Sequence, residues 1–137
     1  MKPRVLIKIG GQAFEDEGGF KELATAIKYN PETEIIIVHG GGAEISQALK
    51  GANRETVFID GTRVTQAEDI KIVENILSGT INQRIASWLT KNGVPCRRMS
   101  GKTKHLFTVE PLTRNGQDLG YVGKITRVNP GIVLDTL

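Results

Sequence analysis

Apolar residues along this chain follow two rhythms. Arg4 to Ile9 and Glu34 to Val38 are short β-branched runs, the second carrying Ile35, Ile36 and Ile37 in succession. Continuous apolar runs suit strands covered on both faces, as in a parallel sheet. Between them Phe20, Leu23, Ala24 and Ile27 recur at helical spacing, giving a strand, helix, strand unit long enough for a right-handed crossover. From Gln66 to Asn92 the residues Ile70, Val73, Leu77, Ile81, Ile85 and Trp88 form a helical stripe about 40 Å long, widened by Ile72 and Ile76. Thr65 is its expected cap, with Glu68 following. Ser78-Gly79 is the expected kink and Asn92-Gly93 the left-handed stop.

The intervening segments are shorter. Glu55 to Ile59 reads as a short apolar run ended by the turn dipeptide Asp60-Gly61. Val94 to Met99, Leu106 to Val109 and Gly120 to Val128 read as strands, with a polar hairpin tip at Thr113 to Asp118. Asn129-Pro130 starts a final helix carrying Ile132, Val133, Leu134 and Leu137. The alternation predicts one α/β domain over residues 1–137. The apolar last helix predicts a covering partner and further chain.

Composition narrows the function classes. With 18 basic against 15 acidic residues and a net charge of +3, no nucleic-acid partner and no membrane partner is expected. The cluster Arg97, Arg98, Lys102 and Lys104 reads as a solvated basic edge. No apolar run approaches the length of about 18 residues that spans a bilayer, so the expected location is cytoplasmic. One cysteine, Cys96, and two histidines, His39 and His105, exclude an intrachain disulfide framework and a multi-cysteine metal site. No metal ligands are assigned. His39 and Cys96 read as buried structural residues rather than a base and nucleophile, because they lie on separate expected strands.

The 16 glycines matter through their placement. In Lys8-Ile9-Gly10-Gly11 a lysine precedes two glycines at the end of the first strand, a corner where backbone can approach a phosphate. A lysine ending a strand beside a flexible turn is the competing reading. In His39-Gly40-Gly41-Gly42 unhindered N–H groups open a helix whose dipole favours negative charge; a plain tight turn is the alternative. This is no Walker loop, since no Gly-Lys-Ser/Thr follows. Arg63, after Asp60-Gly61-Thr62, is placed to pair with a carboxylate through two parallel bonds or to stand idle on the surface. Ser100-Gly101-Lys102 reads as a plain turn.

Taken in order, Val5 to Gly11, Ile36 to Gly42, Asp60 to Thr65, Ser100 to Lys102 and Leu119 to Gly123 resemble the acetylglutamate kinases of the amino-acid kinase family. The resemblance spans essentially the whole chain, and the block Asp60 to Thr65 is its most specific part. It implies the N-terminal half of a three-layer αβα sandwich with an open, mainly parallel sheet. It also implies transfer of the γ-phosphoryl group of ATP, with Mg2+, to the side-chain carboxylate of N-acetyl-L-glutamate in arginine biosynthesis. By resemblance, Lys8 is the catalytic residue that neutralises charge on the phosphoryl group. Gly10 and Gly11 bind phosphate, Gly41 and Gly42 offer donors to the substrate, and Arg63 grips its α-carboxylate. The 66–92 helix region resembles the family's homodimer helix, though packing on its own sheet explains the same stripe.

The resemblance also implies what residues 1–137 lack. The family's later substrate asparagine, organising aspartate, second lysine and ATP-binding half lie beyond Leu137. The expectation is therefore an acyl-substrate-binding and dimerisation domain, catalytically incomplete alone and binding no nucleotide tightly. A binding or dimerisation module without chemistry is the alternative. Thr103-Lys104-His105 departs from the acidic residue and glycine more usual in the family. N-acetyl-aminoadipate, longer by one methylene, is the competing acceptor, because such discrimination is worth only about 1–3 kcal/mol.

Overall fold

The computed structural model describes residues 1–10 and 16–137. Strand β1 (Arg4–Ile9) pairs in parallel with β2 (Glu34–His39), from Arg4 opposite Glu34 to Ile9 opposite His39. Helix α1 (Glu17–Lys28) makes the crossover between them. Asp16 caps it by accepting from Gly18 N at 2.8 Å, satisfying one of the donors a helix start leaves unpaired.

The side chains of β1 divide between two faces, as period-two geometry requires. Ile7 and Ile9, with Ile37 of β2, join Phe20, Ala24, Ile81, Ile85 and Leu89 in the core. Phe20 and Trp88 hold the two helices together, their ring centroids 4.9 Å apart. On the opposite face Leu6 is 62% and Val38 45% exposed. Of the two helical layers expected around the sheet, α1 and the long helix supply the one that covers Ile7, Ile9 and Ile37.

Helix α2 (Gly42–Gly51) follows β2 directly and buries Ile45 and Leu49. Two short antiparallel strands come next, β3 (Phe58–Ile59) and β4 (Thr62–Arg63). Asp60 and Gly61 join them with φ of 47° and 75°, the double left-handed turn that matches strand twist. The long helix comprises α3 (Ile70–Glu74), a π-helical stretch Asn75–Ile81, and α4 (Asn82–Lys91). The expected kink at Ser78-Gly79 is thus a wider helical turn that continues the axis. Its apolar stripe packs on its own sheet. Among the described residues no large apolar side chain of 66–92 is strongly exposed, so a dimer through this helix would rest on its polar and half-buried positions.

Two expectations are corrected. Thr65 does not cap the long helix: its backbone is taken by Thr65 N–H donating to Leu119 O (3.0 Å) and Tyr121 N–H donating to Thr65 O (2.7 Å). Asp69 stands at the helix start instead, buried and bound by Arg54 Nε at 2.6 Å. Residues 94–99 form no strand, because their anchors are side chains and a turn rather than a ladder. Val94 N–H donates to Leu89 O, and Arg98 reaches back to the helix.

The chain then turns into a long hairpin of β5 (Phe107–Arg114) and β6 (Gln117–Val128), closed by Asn115 and Gly116 with φ of 50° and 72°. The tips of the two hairpins touch, Asn115 Nδ2 donating to Asp60 Oδ2 at 2.7 Å. A short helix α5 (Gly131–Leu134) ends the chain.

Candidate functional site

Parallel strands carry their loops to one edge, and ligands of open α/β sheets bind outside the carboxyl ends of the strands. Here that edge holds Gly10 after β1 and Gly40 to Gly42 after β2. The two corners are joined by Gly40 N–H donating to Ile9 O at 3.3 Å. Gly11 lies outside the described residues. Lys8 stands opposite Val38 and is exposed, on the sheet face that also carries Leu6.

Arg63 is brought to the same corner from β4. Its Nη2 donates to Gly42 O at 3.0 Å and to Ser46 Oγ at 2.9 Å. Nη1 makes a long 3.4 Å contact with Thr56 Oγ1. The guanidinium lies 4.7 Å from the centroid of Phe58, its cross-strand neighbour, a cation–π distance. All these partners are neutral. Among the described residues none of the ion pairs includes Arg63. Burial pulls its pKa below the ordinary arginine value, yet a guanidinium stays charged throughout the physiological range. The result, among the described residues, is a half-buried, oriented positive charge without a counter-charge, beside the N-terminus of α2.

The first turn of α2 contains Glu44, which would repel an anion. Arg84 of α4 grips it with two bonds of 2.8 and 2.9 Å. Those bonds hold the Glu44 carboxyl below the ordinary glutamate pKa against the opposing effect of burial. The pair leaves the helix N-terminus locally neutralised, with Arg63 as the positive group on the other side.

Several contacts were invisible in the sequence. His39 Nδ1 lies 2.9 Å from Gly40 O, and its Nε2 lies 3.1 Å from Asn82 Nδ2. Arg98 donates from Nε to Asn82 Oδ1 (2.8 Å) and from Nη2 to Ser78 O (2.7 Å). Arg98 is therefore not merely part of a solvated basic edge, and Lys102 is paired with Glu74 at 2.6 Å. Cys96, expected to be buried, is exposed, with Sγ 3.6 Å from Ala86 O; it lies in the unpaired 94–99 segment. Gly41 has a packing role as well: a Cβ there would overlap Ile81 Cδ1 and lie 3.1 Å from Leu77 Cδ2.

The family model described as "Amino acid kinase family" matches residues 3–137. The chain belongs to the amino acid kinase family. Among its relatives, the acetylglutamate kinase of a Nitratiruptor species is 37% identical over 134 residues, covering 96% of this chain and 46% of that protein. The acetylglutamate kinase of Petrotoga mobilis is 39% identical over 138 residues, covering 96% and 44%. The chain thus spans about half the length of the curated relatives it matches. Among solved structures, smu.665 of Streptococcus mutans UA159 superposes with a TM-score of 0.79 at 28% identity, over 98% of this chain and 54% of that one.

In this member of the family the residues of the strand-end corner suit an anion. Among the described residues no cluster of His, Cys, Asp and Glu could hold a metal ion. The site as described thus offers backbone donors and an arginine. A groove of about 510 Å³ between the β5–β6 hairpin and Ile70 shares no residue with it.

Proposed function

We propose that the chain carries the acyl-substrate site of an acetylglutamate kinase. The observation that carries this reading is Arg63, held against the glycine loop by neutral partners with its charge uncompensated. A carboxylate is the natural complement, since a guanidinium fork matches its two oxygens. On this reading the α-carboxylate of N-acetyl-L-glutamate sits on Arg63. The N–H groups of Gly41 and Gly42 meet substrate oxygens at the N-terminus of α2.

The chemistry follows from that placement. An oxygen of the substrate's side-chain carboxylate attacks the γ-phosphorus of ATP, a new P–O bond forms, and the bond to the β-phosphate oxygen breaks to release ADP. Lys8, Gly10 and Gly11 would balance charge on the moving phosphoryl group, because such transfers depend on positioning and charge stabilisation. Mg2+, where present with the nucleotide, offsets phosphate charge. Spanning about half of its relatives' length, the chain is proposed to bind the acyl substrate without turnover by itself.

Calorimetric titration with N-acetyl-L-glutamate tests the reading. Arg63→Ala should weaken binding about 10- to 100-fold, the value of charge-assisted bonds worth about 1.5–3 kcal/mol. Arg63→Lys should restore only part of it. A folded chain that fails to bind, or that binds equally well without Arg63, refutes the proposal. Parallel titration with N-acetyl-aminoadipate decides the acceptor, and a coupled assay with MgATP that detects turnover refutes the incompleteness.

A further inference from the structure

We propose that Asn82 is a positioning residue for the glycine loop: acting through His39, it fixes the direction of the Gly41 N–H. This rests on the reading of that loop as the seat of substrate oxygens. The hydrogen-bond chemistry assigns each proton. Arg98 Nε can only donate, so the Asn82 atom 2.8 Å from it is the carbonyl oxygen Oδ1. The amide nitrogen Nδ2 then faces His39 Nε2 at 3.1 Å, and that ring nitrogen must accept. Gly40 O, 2.9 Å from Nδ1, can only accept, so Nδ1 carries the proton. His39 is thereby held as a single tautomer. Turning the amide over would set two donors against each other at Arg98.

Peptide geometry carries the effect one residue further. In a planar trans peptide the carbonyl of one residue and the N–H of the next point in opposite directions, and there is no cis bond in the chain's described part. Holding Gly40 O on His39 therefore sets the Gly41 N–H on the other side of the same plane. Glycine flanks this peptide on both sides, so no Cβ restrains its rotation. The restraint has to come from outside. Among the described residues the Gly41 N–H makes no hydrogen bond of its own, which leaves it available to a ligand. Arg98 anchors the relay a second time, through its 2.7 Å bond to Ser78 O inside the π-helical stretch.

The test is ¹⁵N NMR of the uniformly labelled chain at about pH 8, above the ordinary histidine range, with His105 as internal reference. His39 should show the Nδ1–H form. Asn82→Asp, whose carboxylate only accepts, should move a proton to Nε2 and shift the Gly41 amide resonance. It should also weaken N-acetyl-L-glutamate binding about tenfold, the loss of roughly one oriented hydrogen bond. If Asn82→Asp does not fold, Arg98→Leu gives the same readout by freeing the amide to turn over, and both tautomers should appear. A His39 found as Nε2–H in the unaltered chain, or a Gly41 resonance indifferent to these variants, overturns the proposal. Unchanged substrate affinity in a variant whose tautomer has switched also overturns it. Failure of the unaltered chain to bind N-acetyl-L-glutamate counts against the proposed function, while the His39 and Gly41 resonances still decide the relay.

Discussion

Gly41→Ala separates two tasks a glycine can have in this loop, because alanine keeps the N–H and adds only a methyl group. That methyl would overlap Ile81 Cδ1 and lie 3.1 Å from Leu77 Cδ2. Ile81 is 0% exposed, so it has nowhere to swing. Forcing a methyl into such a site costs about 2 kcal/mol, which for a domain of this size lowers the melting temperature by roughly 8 °C. Ile81→Val removes the offending atom and leaves Cγ1 at 3.8 Å, an ordinary contact. Alone it should cost about 1 kcal/mol. Were the two changes independent, the double variant would lose about 3 kcal/mol; relief of the overlap should return it to about 1. Urea unfolding of the four proteins gives the coupling energy directly. Additivity to within about 0.5 kcal/mol would refute the steric argument. Because the N–H survives, the double variant should also recover N-acetyl-L-glutamate binding.

Two further predictions concern the frame around the site. Gly120 has φ +71°, and a Cβ there would overlap Thr65 O and lie 3.0 Å from Thr65 C, both backbone atoms. Gly120→Ala should therefore lose about 3 kcal/mol from left-handed strain and from the bonds Thr65 makes to Leu119 and Tyr121. Gly19→Ala, in open space on α1, should gain about 0.5 kcal/mol; equal effects in urea unfolding would refute the contrast. Glu44 has a native pKa held below its unfolded value of about 4.3 by Arg84. Its contribution to stability is present above that pH and lost as pH falls through the native value. Glu44→Gln should flatten the stability profile in this acid window, measured by circular dichroism, and an unchanged slope would refute the assignment.

How far the fold was legible follows from the range of each interaction. The isoleucine runs and the helical spacing of Phe20 to Ile27 are local signals, and they yielded β1, α1 and β2 with little error. Asp60-Gly61 marked a turn for the same reason, since positive φ favours those residue types. Thr65 misled because a cap is a local inference, while its backbone is claimed by Leu119 and Tyr121, more than fifty residues away. The strand expected at 94–99 failed similarly: its composition suits a strand, but strands exist only where a partner pairs. At the site, Arg63 and Gly42 were found through the family resemblance, and their contact bears on that reading. Asn82 and Arg98 carried no local signal. Their roles arise from side chains 43 and 16 residues apart.

The π-helical stretch alters how the long helix can be used. An α-helix advances about 100° per residue, and a turn closed by i→i+5 bonds takes one residue more. The rotational phase of everything after it is displaced. Ile81, Ile85 and Leu89 can thus look toward α1 while α3 packs against α2, so one continuous rod serves two differently oriented neighbours. Deleting a single residue between 75 and 81 would leave a perfectly good helix whose far half faces the wrong way. For this chain, the length of that stretch is a more stringent constraint than its composition.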